Sequence, residues 1–179
     1  MIFSTQTKND HWLNEHELPS NPHYHWLTGP YVLSDAIQRV SQQPFSVKVL
    51  AQGFSLLEND EYAVHQAPIA YLREVFLLAG GEPWVYARVS VSTRCRFFLE
   101  ELSALGDRPI GVNLLYNNKD IERSAFQFRL YENLRLGESR QHPGFWGQPV
   151  WARRSTFTDQ KTQLLVSEYF SSTISPYCN

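Results

Sequence analysis

Residues 71–91, YLREVFLLAGGEPWVYARVSV, are two apolar runs around Gly80-Gly81-Glu82-Pro83. Paired glycines between runs rich in β-branched and aromatic residues predict a β-hairpin. The hairpin also carries charge near its start, at Arg73 and Glu74. Side chains alternate along a strand, so Arg73 shares a face with Tyr71, Val75 and Leu77, and Glu74 shares the other with Leu72, Phe76 and Leu78. Near the C-terminus, TQLLVSEYFSS sets Glu168 on the face of Leu164, Val166 and Phe170. A charge among apolar neighbours is costly unless it is paired. A sheet covered on both faces must therefore bury an Arg with a Glu, or line a cavity with them. One reading is a structural ion pair. The other is a pocket, in which the Arg fork binds a carboxylate or oxyanion and a Glu among apolar groups handles a proton. Together they suit a small, planar, anionic ligand.

The rest of the chain reads as one domain over residues 1–179, with residues 1–25 as an N-terminal wrap. Ser34 or Asp35 is expected to cap a helix carrying Ile37 and Val40, with Pro44 as its stop. Phe45, Val47 and Val49 alternate as a strand, and Gly53 interrupts it as a bulge or bend. Phe98, Leu99, Leu102 and Leu105 have helical spacing, ended by Gly106. DRPIGVNLLY is a loop entering another strand. In AFQFRLYEN, Phe126, Phe128 and Leu130 form a core stripe, opposed by a wet face of Gln127, Arg129 and Tyr131. QPVWARRSTF and TQLLVSEYFSS pair around Asp159-Gln160-Lys161. The expectation is an α+β fold: about six antiparallel strands with helices on one side.

Composition closes off several functions. A net charge of −2 without a basic tract argues against nucleic-acid and anionic-membrane partners. No apolar run approaches a membrane span, and MIFSTQTKNDHW is not a signal peptide, so a cytoplasmic protein without membrane insertion is expected. Cys95 and Cys178 form no CxxC pair and read as reduced thiols. His23 and His25 form an H-x-H, alongside His11 and His16, but no nearby Cys completes a zinc pattern, so no metal is expected. Cys95 lies between Arg94 and Arg96, yet has no identifiable His or Asp partner for thiol catalysis. Of Arg153 and Arg154 at most one reaches an anionic ligand, and solvent exposure is the default for both.

Five segments in order carry a family likeness: GFSLLEND, YLREVFLLAGGEPWVYARVSVS, LSALGDRPIG, GFWG followed by RRS, and LLVSEYFSSTISPY. Over residues 26–177 the sequence resembles chorismate pyruvate-lyase, the family that makes 4-hydroxybenzoate for ubiquinone in bacteria. The resemblance implies a six-stranded antiparallel sheet with helices on one side, and an internal cavity under helical flaps. It implies Arg73 and Glu168 as catalytic residues that also bind substrate. Backbone amides at Ile110 and at Ala36, or the neighbouring Ile37, would hold the ring carboxylate. It implies chorismate as substrate, 4-hydroxybenzoate and pyruvate as products, no cofactor, and a monomer. The extra QPVWA before RRS and the longer DIERSAFQFRLYENLRL depart from the family pattern. The alternative is a non-catalytic module of the same fold that binds an aromatic carboxylate, since related folds serve as effector-binding domains of bacterial transcription regulators.

Overall fold

The structure, a computed structural model, describes residues 11–29, 32–111, 120–134, 136–137, 141–159 and 162–177. Cys178, the Gln160-Lys161 turn and residues 112–116 of the expected loop and strand lie outside the described residues.

The hairpin forms as its sequence predicts. β2 (Ile69–Ala79) and β3 (Glu82–Ser92) are antiparallel, with Ala79 opposite Glu82. The turn is Gly80-Gly81 alone, and Glu82 and Pro83 already belong to β3. Both glycines have positive φ, 57° and 92°, the backbone of a two-residue turn that matches strand twist.

β1 (Phe45–Leu56) pairs with β2, and β6 (Val150–Asp159) pairs with β7 (Thr162–Phe170). β4 (Ile121–Arg123) and β5 (Gln127–Tyr131) both pair with β6, at different points along it. The sheet order is β1-β2-β3-β7-β6-β4, with β5 also on β6. The α+β antiparallel architecture is as expected, with seven strands among the described residues rather than six: a short pair, β4 and β5, shares one edge of β6. Val150–Ala152 of the extra QPVWA segment extends β6 and pairs with β5.

Helices cover both faces, where one side was expected. α1 (Tyr24–Thr28) and α2 (Leu33–Ser41) pack on a core of Val75, Leu77, Val85, Ala87 and Phe170. α4 (Arg96–Ser103) adds Phe98 and Leu102 to Val89, Val91 and Val166 on the same face. α3 (Asn59–His65) lies on the opposite face, where Glu61 bonds Arg88 and His65 bonds Ser90. The opposite face also buries Phe76, Tyr86, Phe145 and Tyr169. The expected wet face of β5 is therefore covered, and Arg129 and Tyr131 are buried. Within residues 11–29, Leu13 bridges Phe128, and Trp26 is fully buried.

Two local expectations change. α2 starts at Leu33 with Val32 as its N-cap, so Ser34 and Asp35 lie inside its first turn rather than capping it. The β1 bulge falls between Val49 and Ala51, at Leu50 rather than Gly53. It inverts the face of every later residue. Leu50 turns to the far core, and Gln52 comes opposite Arg73 on the same face.

Gly81 offers a direct check of the hairpin. A Val there must adopt positive φ, which costs about 1–2 kcal/mol. Urea unfolding of Gly81→Val is expected to show a loss of that size.

Candidate active site

A cavity lies between the α1/α2/α4 face of the sheet and the loop after α4. Its apolar walls include Val47, Val75, Val89, Phe126, Phe157 and Val166, and its polar groups are Ser34, Arg73, Arg108, Ser155 and Glu168. Its volume of ≈ 60 Å³ is room for about four to six waters, the space of one substituted six-membered ring.

Arg73 enters from the middle of β2 and is 2% exposed. Its Nη1 donates to Gln52 Oε1 at 2.7 Å, and its Nη2 to the Arg108 carbonyl at 3.4 Å. Among the described residues, no carboxylate lies within ion-pairing distance of it. Burial pulls its pKa below the usual arginine range, with Tyr71 and Asp107 opposing from further away. A buried guanidinium held by neutral acceptors is under-compensated. An anion entering the cavity would complete it.

Glu168 lines the same cavity from β7, and its partner is Arg153, not Arg73. Arg153 Nε donates to Glu168 Oε2 at 2.6 Å. Arg153 Nη1 is shared among the carbonyls of Trp26, Leu27 and Gly29, at 3.1, 3.2 and 3.3 Å. These oxygens belong to the C-terminal end of α1, where carbonyls lack helical partners and a cation is favoured. The Phe126 ring lies 4.3 Å from the guanidinium carbon. Arg153 thus locks one carboxylate oxygen of Glu168 to α1 and leaves Oε1 for the cavity.

The default of exposure fails at both arginines. Arg153 is 1% exposed on the cavity face. Arg154, on the other face, donates to Gln127 Oε1. Arg108 is at the cavity rim, where its side chain caps α4 through the Leu105 and Ala104 carbonyls.

Ile110 lines the cavity, as does the first turn of α2 through Leu33 and Ser34. Ala36 and Ile37 do not line it: both are buried in the core behind it. The Ala36 N–H is moreover spent on the Val32 carbonyl at 3.1 Å. The reason is the early helix start. The amides of the first turn, at Leu33 and Ser34, have no helical acceptor, and both residues line the cavity.

The opening pair of charges thus separates. Arg73 lines the cavity, whereas Glu74 is buried on the far face with Arg88 Nη1 at 2.5 Å and Tyr86 Oη at 2.8 Å. Arg88 also makes a fork with Glu61, at 2.7 and 2.8 Å. Burial opposes the charge on Arg88, but Glu61, Tyr86 and Glu74 outweigh it and hold its pKa above the usual range.

Among the described residues, no three metal-ligating side chains cluster. His25 is exposed and Cys95 is buried. No described helix is long and apolar enough to cross a membrane.

A family model described as "Chorismate lyase" matches residues 6–177. A "Probable chorismate pyruvate-lyase" of Pseudomonas syringae pv. tomato is 31% identical, over 89% of this chain and 86% of that protein. One of Marinobacter nauticus is 32% identical, over 83% and 75%. Among solved structures, PhnF from Mycobacterium smegmatis aligns at TM-score 0.55 and 10% identity, over 80% of this chain and 64% of that one. The possible transcriptional regulator YydK of Bacillus subtilis aligns at 0.53 and 13%, over 99% and 75%. At those identities the likeness concerns the fold alone.

The contrast between the two cavity arginines can be measured. Arg153→Met strands Glu168 and the α1 carbonyls, and is expected to lose about 3–5 kcal/mol in urea unfolding. Arg73→Met removes an under-compensated charge, and is expected to leave stability unchanged or raised.

Proposed function

The chain belongs to the chorismate lyase family, and on that premise we propose that it converts chorismate to 4-hydroxybenzoate and pyruvate, the first committed step towards ubiquinone. The observation that carries this reading is Arg73, a buried guanidinium without a carboxylate partner among the described residues, facing a ring-sized apolar cavity. Chorismate is a dianion. The lining supplies Arg73 and Arg108, while the charge of Glu168 is already answered by Arg153. The cavity is thus left with a positive surplus for the ligand.

In the reaction the ether C–O bond breaks, the hydroxyl-bearing carbon loses its proton, and the ring becomes aromatic. The departing enolate takes up a proton and becomes pyruvate. Arg73 donates to the ether oxygen and stabilises the charge that develops there. Glu168 accepts the ring hydroxyl through Oε1, with Oε2 fixed by Arg153. The amides of Leu33, Ser34 and Ile110 converge on the ring carboxylate. The apolar walls hold the ring and exclude water, so orientation contributes several kcal/mol, up to about 7–11 in well-oriented systems.

The test is to incubate the protein with fresh chorismate and follow pyruvate and 4-hydroxybenzoate together against a protein-free control. Equal amounts of both are expected. Arg73→Ala is expected to lose about 100-fold or more, and Arg73→Lys not to recover it, because an ammonium lacks the planar fork. Binding of 4-hydroxybenzoate without turnover would instead indicate the non-catalytic module.

A further inference from the structure

β6 has two partners along one edge, and the space between them matters. β5 pairs with it up to Arg154, and β4 from Phe157 onward. Residues 124–126 cross the interval between the two strands, opposite Ser155 and Thr156. Ser124 holds the crossing in place: its N–H donates to the Thr156 carbonyl at 2.9 Å, and its Oγ accepts from Thr156 N–H at 3.0 Å.

Behind this interval, on the α3 face, lies a cleft of ≈ 310 Å³. It is lined in part by Asn14, Ser124, Gln127, Arg154 and Thr156. Asn14, Ser124 and Ala125 are exposed, so the cleft opens to solvent. Two residues, Phe126 and Ser155, line both this cleft and the catalytic cavity. The two spaces lie on opposite faces of the sheet and meet at the edge of β6. Phe126 stands between them, its ring 4.2 Å from the Arg123 guanidinium carbon and 4.3 Å from that of Arg153.

The polar side chains of the cleft gather beside one cation. Arg154 is held by Gln127 Oε1 at 2.9 Å and lies over the Trp12 ring at 4.2 Å. Its Nη1 is buried without a hydrogen-bond partner, and Asp60 Oδ2 is 3.6 Å away. The cavity side is apolar and ring-sized, whereas the cleft side, although Val64 and Leu165 also wall it, holds Arg154 with a group of polar side chains. The two products divide the same way: one is an aromatic ring, the other a three-carbon 2-oxo carboxylate.

We propose, on the lyase reading above, that the cleft is a small-carboxylate site, and that pyruvate leaves through it past Phe126 while the aromatic product stays in the cavity. Arg154 is the anchor, and the Gln127 amide with the Thr156 hydroxyl completes the donor set, since the Ser124 hydroxyl donates to the Ala125 carbonyl and Asn14 Nδ2 to Glu17 Oε2.

The test uses pyruvate as the probe. Its binding is measured by calorimetry, and its inhibition of turnover by following 4-hydroxybenzoate. Arg154→Met is expected to weaken both by about tenfold or more, with 4-hydroxybenzoate binding unchanged. Arg154→Lys is expected to keep most of the affinity, since a point charge still attracts a carboxylate. Ala125→Trp, at an exposed position, fills the cleft mouth without touching the core and is expected to weaken pyruvate in the same way. Equal pyruvate affinity in wild type, Arg154→Met and Ala125→Trp would overturn the proposal. So would pyruvate binding that 4-hydroxybenzoate displaces competitively, because both would then share the cavity. Calorimetry does not depend on turnover, so a chain that binds pyruvate at Arg154 but leaves chorismate intact would refute the lyase reading and retain the site.

Discussion

A guanidinium taken out of water must be given acceptors, and this sheet buries several. Their satisfaction is unequal, and the inequality organises the molecule. Arg88 has two carboxylates, Glu61 and Glu74. Arg153 has Glu168 and three carbonyls at the end of α1. Arg73 has one amide oxygen and one long contact to a carbonyl. The first two are closed structural units that tie α3 and α1 to opposite faces of the sheet. The third lines the cavity with only neutral acceptors among the described residues, and on the proposed function a bound anion would supply what it lacks. Desolvating a charge in this way is destabilising on its own, and perturbed groups of this kind cluster at functional sites.

The same constraint explains the supporting geometry. The bulge at Leu50 brings Gln52 into line with Arg73. Without it, Gln52 would point to the far face. The pairing of Arg153 opposite Glu168 across β6 and β7 sets the ion pair in register. The start of α2 at Leu33 sets residues whose amides have no helical acceptor along the cavity wall, opposite the apolar strands. Each element contributes one group, and none of these groups is in contact through local sequence alone.

What could be read in advance follows from the range of the interaction. The hairpin was legible because Gly-Gly and period two are local. The inward direction of Arg73 and Glu168 was legible for the same reason. The mutual pairing of these two was not observed, since the real partner of Glu168 is Arg153, whose other hydrogen bonds lie more than a hundred residues away. The fate of Arg153 therefore left no local trace. α3 was missed because it has only seven residues. The available signal was Glu58 followed three residues later by Glu61, the spacing of a reciprocal cap, although Glu at the cap position is uncommon. Ala36 came from likeness rather than geometry, and the helix begins one turn too early for its amide to be unspent.

The most direct measurement is a crystal structure of the protein with 4-hydroxybenzoate bound. The ring is expected between Val75, Val89 and Phe157, the phenolic oxygen within hydrogen-bond distance of Arg73 and Glu168, and the carboxylate at the amides of Leu33, Ser34 and Ile110. A ring bound elsewhere, or one in the cavity with Arg73 still bonded only to Gln52 and the Arg108 carbonyl, would contradict it.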